Sequence, residues 1–449
     1  MEDIIDGMKD NGARFCDIRR EKWEVSHLIM KDGGIERMAS GVEEGAMIRV
    51  LYGNGWGCVG TSALDRLSEA ADRALGMAKQ NDGSKSEKTG LGDVKAIQES
   101  VEMPMKRDFR DIDVEEKLSF MKELYGKLQE PHVKSVDIHY RDSFVEKEIL
   151  NSDGTHVFMN IPRILGYVIV TGKGKTIQKA TEGFGAVAGY EGIENAHTKA
   201  EAVLKRLKDL LDAENAPGGK MPLIMDNHLT GVFVHEAFGH AAEADLVSSG
   251  SSCLEGRLGE MVADESVTIV DDPTFKGYGS FPFDDEGTKA RRRVLVDSGE
   301  LNDYILNRES AWKLDLEPNG GARAEDFRVK PIVRMSNTLM MPGDMKMEEL
   351  LEQVDRGIYA KSTSGGQVDP TQGTFQFNAQ VAYLIENGEI TTPLKDVSFS
   401  GFTLETLKNI KGLTDEMKTG VGHCGKGQSA PVTDGGPQTL ISDVTVGGR

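Results

Sequence analysis

The sequence predicts an α+β protein, with a mixed α/β N-terminal domain over residues 1–216 followed by a β-rich antiparallel C-terminal domain over 217–449. Three observations carry this reading. The first half alternates strand-like and helical hydrophobic periods, while the second holds one helical stretch among many short β-type segments punctuated by Gly, Asp and Pro. The chain, at 449 residues and 38% hydrophobic, exceeds what one core usually organises. Between the halves, Ala213-Glu214-Asn215-Ala216-Pro217-Gly218-Gly219-Lys220 has the composition of a linker.

Near the N-terminus, Trp23 to Met38 and Ala46 to Gly60 read as short strands closed by Gly-rich turns such as Tyr52-Gly53-Asn54-Gly55. From Ala63 to Gln80 the spacing turns helical, with Leu64, Leu67, Ala70, Ala71, Ala74 and Met77 on one stripe. Asn81 to Lys88 is polar and predicts a loop, and Val114 to Leu128 predicts a second helix. Strands follow over Ser135–Tyr140, Phe144–Asn151 and Arg163–Thr171, then a helix over Ala196–Asp212. In the second half the helical stretch runs from about Leu229 to Asp245. Short strands are expected at Ser266–Val270, Arg293–Val296, Val381–Ile385 and Gln438–Ile441.

Charge narrows the function classes. With 53 Lys+Arg against 73 Asp+Glu the formal charge is −20, which opposes broad attraction to nucleic acid or to anionic membrane surfaces. No run of about 18 apolar residues is present, and the start lacks a basic, then apolar, secretory pattern, so a cytoplasmic location is expected. Cys16, Cys58, Cys253 and Cys424 show no paired spacing, which predicts reduced thiols, any one of them available to a metal.

The chemistry concentrates in Gly231-Val232-Phe233-Val234-His235-Glu236-Ala237-Phe238-Gly239-His240, an HExxxH run in an otherwise apolar segment. Neutral imidazoles suit zinc, and a carboxylate beside the first ligand can take a proton from water, the division of labour in HExxH peptidases. The spacing differs from HExxH: on a regular helix residues i and i+5 lie about 140° apart, so both histidines reach one ion only if the helix is widened or broken. A one-turn π-bulge suffices, and Gly239 is the residue that tolerates the distortion. The alternative is a pair of hydrogen-bonded core histidines.

The HExxxH run, its continuation Ala241-Ala242-Glu243-Ala244-Asp245 and four later motifs resemble the TldD/PmbA family. These are Leu258–Ala263, Phe283-Asp284-Asp285-Glu286-Gly287-Thr288, Pro331–Thr338 with Met341-Pro342-Gly343-Asp344, and the closing Gly422-His423-Cys424-Gly425-Lys426-Gly427-Gln428. The resemblance is to the TldD type, which bears the intact motif, rather than to the TldE (PmbA) type, which lacks it. It implies a zinc-dependent peptidase of low sequence selectivity acting on unfolded or flexible peptides. Its metal ligands map to His235, His240 and Cys424, and its catalytic base to Glu236. It also implies a TldE-type paralogue as partner, or self in a homodimer, and a peptide bound as an added β-strand. Two imidazoles, one thiolate and one open position make a catalytic rather than a structural zinc set. Glu243 and Asp245 are rival third ligands. The oxyanion donor is unassigned among His423, Arg323 and Arg334. The alternative function is a catalytically silent zinc-containing assembly subunit, its site closed by a fourth protein ligand such as Glu243.

Three other signals are discounted. Gly172-Lys173-Gly174-Lys175-Thr176 lacks the glycine a phosphate loop needs five residues before Gly174, and Gly183–Gly189 is one residue too long for a dinucleotide fingerprint. Arg291-Arg292-Arg293 reads as a strand edge with alternating solvated charges. Neither ATP, dinucleotide nor nucleic acid is expected.

Overall fold

The computed structural model describes residues 1–83 and 88–448, so part of the loop expected over Asn81–Lys88 lies outside the described residues. The first half builds one seven-stranded sheet from β1 (Phe15–Lys31), β2 (Gly34–Tyr52), β3 (Gly55–Thr61), β4 (Gln98–Glu102), β5 (Val133–Asn151), β6 (His156–Lys173) and β7 (Ile177–Ala186). Its order is β3-β2-β1-β5-β6-β4, with β7 also on β6, and every pairing is antiparallel except β4 on β6.

These strands are longer than the sequence suggested. Trp23–Met38 spans the β1–β2 turn, where Asp32 and Gly33 both take positive φ, and Ala46–Gly60 spans the β2–β3 turn. The two segments Ser135–Tyr140 and Phe144–Asn151 are one strand, β5. Sequence periodicity fails here because Gly34 to Glu43 form an exposed edge of the sheet beyond the end of β3, so no apolar alternation marks them.

Helices Leu67–Asp82, Val114–Lys127 and Ala196–Asp212 cover the sheet. Ala70, Ala71, Ala74 and Ala78 bury against Ile18, Ile48 and Val50, and the small side chains let the first helix settle close to the sheet. A Cβ on Gly57 would stand 1.8 Å from the Ala74 carbonyl. Met77, placed on the apolar stripe by sequence, is instead exposed; Leu75 and Ala78 are buried in that helix. The other two helices pack Phe120, Met121 and Leu124, and Val203, Leu207 and Leu210, into a second core with Ile138, Val168 and Val170.

The second half is β-rich and mostly antiparallel, with three parallel strand pairings among the described residues. Residues read as a linker take part in it. Glu214–Asn215 pairs with Leu394–Lys395, and Gly219–Met225 lies between Arg356–Asp369 and Thr439–Gly447. Arg356–Asp369 also pairs with Thr374–Glu386, which closes part of this eight-stranded sheet on itself. A six-stranded sheet follows the order Glu300–Leu301, Arg293–Asp297, Ile269–Asp271, Asn337–Met340, Ser429–Gly436 and Lys418–Gly425, so the last strand is an edge. Arg293, expected to be solvated, is buried and binds Asp271 and Ser336, because it sits on an interior strand rather than an edge.

Charged side chains join the two halves. Asp285 accepts from Lys147 Nζ at 2.6 Å, Glu286 from Arg49 Nη1 at 3.0 Å, and Asp284 from the backbone N–H groups of Glu286, Thr288 and Ala322. All of these side chains are buried. The acidic motif Phe283–Thr288 is thus a docking joint. Among the described residues no helix is long and apolar enough to cross a membrane.

Candidate metal centre

The helical stretch expected over Leu229–Asp245 is irregular. An α-helix, Asn227–Phe233, is capped by Asp226, whose carboxylate accepts from Leu229 N–H at 2.9 Å. It widens into a π-turn over Val234–Gly239, and a separate short helix, Ala244–Ser248, follows. Phe233 anchors it, edge-on to Phe375 with ring centroids 5.1 Å apart.

Within the π-turn the N–H of His240 donates to the carbonyl of His235 at 3.2 Å, an i to i+5 bond. A turn closed this way returns residue i+5 almost above residue i, which brings the imidazoles together despite their spacing. Their centroids are 5.5 Å apart. Gly239 has a different reason from the one the sequence suggested. It is not among the residues of positive φ; it is needed because a Cβ there would lie 2.2 Å from Met335 Sδ.

Cys424 arrives from the edge strand Lys418–Gly425, and its Sγ lies 3.2 Å from His240 Nε2. One donor atom from each of His235, His240 and Cys424 falls within 4.8 Å of the others, and all three residues are buried. The donor set, two imidazoles and a thiol, fits a divalent soft-to-borderline ion. Glu236 sits beside it, its Oε2 3.7 Å from His240 Nε2 and its side chain 37% exposed.

The rival ligands stand elsewhere. Glu243, fully buried, accepts from His240 Nδ1 at 2.9 Å, on the ring edge away from Cys424, which leaves Nε2 free for an ion. Such a carboxylate behind a histidine fixes its tautomer and orientation. Lys426 Nζ lies 3.1 Å from the same Glu243 carboxylate and pairs with both oxygens of Asp245, at 2.6 and 2.8 Å. Arg334 donates to the carbonyl of Cys424 at 2.7 Å and to that of Gln428. It therefore secures the loop that carries the thiol.

The side chains of the three residues left open for oxyanion stabilisation are engaged with other groups. Arg334 is engaged as described, Arg323 donates to the Met335 carbonyl at 2.6 Å, and His423 faces Tyr278, 3.5 Å from its hydroxyl. The supporting roles of Glu243, Lys426 and Arg334 were not read from sequence. A glutamate three residues after a ligand histidine was the signal available for the first.

Proton affinities in the metal-free cluster follow from these contacts. Burial lowers the His240 imidazole, but Glu243 and Cys424 outweigh it and raise it to about 10. Burial raises the Cys424 thiol, yet the two imidazoles bring it down to about 5. Burial likewise raises Glu243, and His240, Lys426 and Arg334 together hold it at about 2. The other cysteines move the opposite way: burial pushes Cys16 up to about 12 and raises Cys58 and Cys253.

Comparison with known proteins agrees with this architecture. Profiles of the PmbA/TldA metallopeptidase domains match in succession: domain 1 over residues 16–78, the central domain over 107–211 and the C-terminal domain over 218–448. A metalloprotease of Methanothermobacter thermautotrophicus is 40% identical over 98% of this chain and 96% of its own. A protein of Saccharolobus solfataricus named as a zinc metalloprotease TldD homolog is 30% identical over 97% of both. In fold, TldE from Thermococcus kodakarensis superposes with a TM-score of 0.83 at 19% identity over all of both chains. A Thermotoga maritima protein, described as a candidate modulator of a DNA gyrase, gives 0.83 at 23% over 99% of each. From residue 16 to residue 448 the chain belongs to the PmbA/TldD family of metallopeptidases.

Proposed function

We propose that this chain is a zinc-dependent peptidase of the TldD type, with His235, His240 and Cys424 as ligands and Glu236 as the base. The observation that carries this is the π-turn, which gathers two imidazoles and one thiol around a common point and leaves a half-exposed carboxylate beside it. When bound, the ion supplies Lewis acidity that acidifies water and polarises a carbonyl. Glu236 accepts the proton of the attacking water at a carboxylate oxygen and returns it to the departing amine nitrogen. Glu243 holds His240 with Nδ1 protonated, and Arg334 holds the Cys424 backbone in place.

The substrate reading is an unfolded or flexible peptide. Lys418–Gly425 pairs on one side only and half of its residues are exposed, so an extended peptide can add to it as a further strand and pass Cys424. Main-chain pairing of that kind explains low sequence selectivity. The likeness in fold to TldE supports a TldE-type paralogue as partner, with a homodimer as the alternative. The silent-subunit reading has less support, because Glu243 occupies the far edge of His240 instead of closing the site.

The test is cleavage of an unstructured peptide by wild type and Glu236→Gln, with metal content assayed in both. A loss of about 10²–10⁴-fold in the variant with metal retained supports Glu236 as the base. If both bind metal and neither cleaves, even with a TldE-type paralogue present, the assembly-subunit reading replaces this one.

A further inference from the structure

The helix and the strand that bring His235, His240 and Cys424 together share a second neighbour. Asp226, Asn227 and His228 at the start of the helix, and Lys418 to Val421 at the start of the strand, line one cavity of about 660 Å³. His228 precedes His235 by seven residues and Val421 precedes Cys424 by three, so the cavity begins about 10 Å from the metal cluster along either element.

The lining is cationic in a chain of formal charge −20. Lys179, Lys199, Arg206, Lys361 and Lys418 face it. Only two carboxylates do, Glu182 and Asp226, and both are occupied. Glu182 binds Arg206 and, at 3.2 Å, Lys199. Asp226 accepts from the N–H groups of Leu229 and Ser362, at 2.9 and 3.0 Å. Of these five, Lys361 is the one that is half-buried with a side chain in no ion pair or hydrogen bond; its ammonium lies 5.7 Å over the Tyr359 ring. Burial lowers its pKa, and although Asp226 opposes this, Arg206 and Lys205 add to the lowering.

The backbone next to Lys361 is strained. Ser362 takes φ 55, the left-handed region that favours glycine, and is pinned there by Asp226 and by a 3.0 Å contact between its Oγ and His228 Nδ1. Strain of this kind persists where the surroundings over-determine a conformation, commonly at ligand clamps. A half-buried ammonium with no carboxylate in contact, beside a strained turn in a cavity whose two carboxylates are already hydrogen-bonded or ion-paired, is suited to an anionic partner from outside.

We infer that this cavity is a subsite for a carboxylate of the bound peptide, with Lys361 as its counter-ion. The inference rests on the peptidase reading and deepens it. A peptide added to Lys418–Gly425 and passing Cys424 would reach the lining about three to six residues farther along, at about 3.3 Å per residue. The C-terminal carboxylate is one source, which makes the enzyme release short C-terminal fragments. An Asp or Glu side chain at that distance is the other.

The experiment uses fluorescent unstructured peptides of one neutral sequence in three forms: free C-terminal acid, C-terminal amide, and amide with one Asp moved through successive positions. Binding is read by anisotropy on metal-free protein, and cleavage by product mass on metal-loaded protein, for wild type, Lys361→Met and Lys361→Arg. The expected result is at least about tenfold tighter binding of the acid than the amide, lost in Lys361→Met and kept in Lys361→Arg. Cleavage should then fall three to six residues from the carboxylate. If an internal Asp restores amide binding as fully as the free acid does, the source is a side chain and the subsite stands. Equal binding of acid and amide to wild type, with no gain from any Asp, overturns it. Carboxylate-selective binding without metal-dependent cleavage would retain the subsite and reject the peptidase reading.

Discussion

Glu243 decides how His240 presents its ring. Its carboxylate accepts a hydrogen bond from Nδ1–H at 2.9 Å, so Nε2 is the nitrogen turned toward Cys424. Glu243→Gln should weaken metal binding by about 10–100-fold, measured by competition against a chelator, while Glu236→Gln leaves it nearly unchanged. Cys424 gives a second test at this scale. In metal-free protein it alone among the four cysteines is pulled below its usual range, to about 5. Ultraviolet titration should therefore find one thiolate near neutral pH, protonating as the pH falls through about 5 and absent in Cys424→Ser. Because metal must displace the proton that Glu243 and Cys424 hold on His240 up to about pH 10, affinity should rise with pH across the neutral range. At the level of residues, the histidines and Glu236 were legible from spacing alone. Cys424 was singled out by resemblance. Lys426 and Arg334 were invisible in these roles, because their partners lie 181 and 90 residues away and no local pattern records such a contact.

The π-turn is the element on which the site depends, and it was legible because HExxxH spacing is incompatible with a regular helix. Gly239 was picked out, but the reason for it was not legible, since Met335 comes from a distant segment. Gly239→Ala should destabilise the fold by about 1–3 kcal/mol, read by denaturant unfolding, because the new methyl overlaps the Met335 sulfur. A second substitution, Met335→Ala, should relieve part of that, so that the double variant is more stable than the sum of the two losses predicts. Elsewhere, helices Leu67–Asp82, Val114–Lys127 and Ala196–Asp212 were read within a few residues, as amphipathic stripes allow. The long strands β1 and β2 were not, because Gly34 to Glu43 of β2 are exposed throughout and the β1 segment opposite them buries only Leu28 and Met30. The short strands of the second half were found in part, their ends blurred where pairing with distant segments, not local periodicity, sets the limit.

For the whole molecule, the acidic motif Phe283–Thr288 ties the seven-stranded sheet to the second half through Lys147–Asp285 and Arg49–Glu286. Asp285→Ala removes the nearer of the two carboxylates on the buried Lys147 ammonium, leaving Glu21 at 3.3 Å, and should lower stability by about 1–3 kcal/mol, measured by denaturant unfolding. The contact between His240 and Cys424 is a second long-range tie, joining residues 184 apart in sequence. The claim on which the account turns is that His235, His240 and Cys424 hold one ion, and X-ray absorption at the edge of the bound metal tests it most directly. With zinc bound, the account predicts one sulfur at about 2.3 Å with nitrogen or oxygen neighbours at about 2.0–2.2 Å, and loss of the sulfur shell in Cys424→Ser. A wild-type spectrum without sulfur, or a sulfur shell that survives Cys424→Ser, would contradict it.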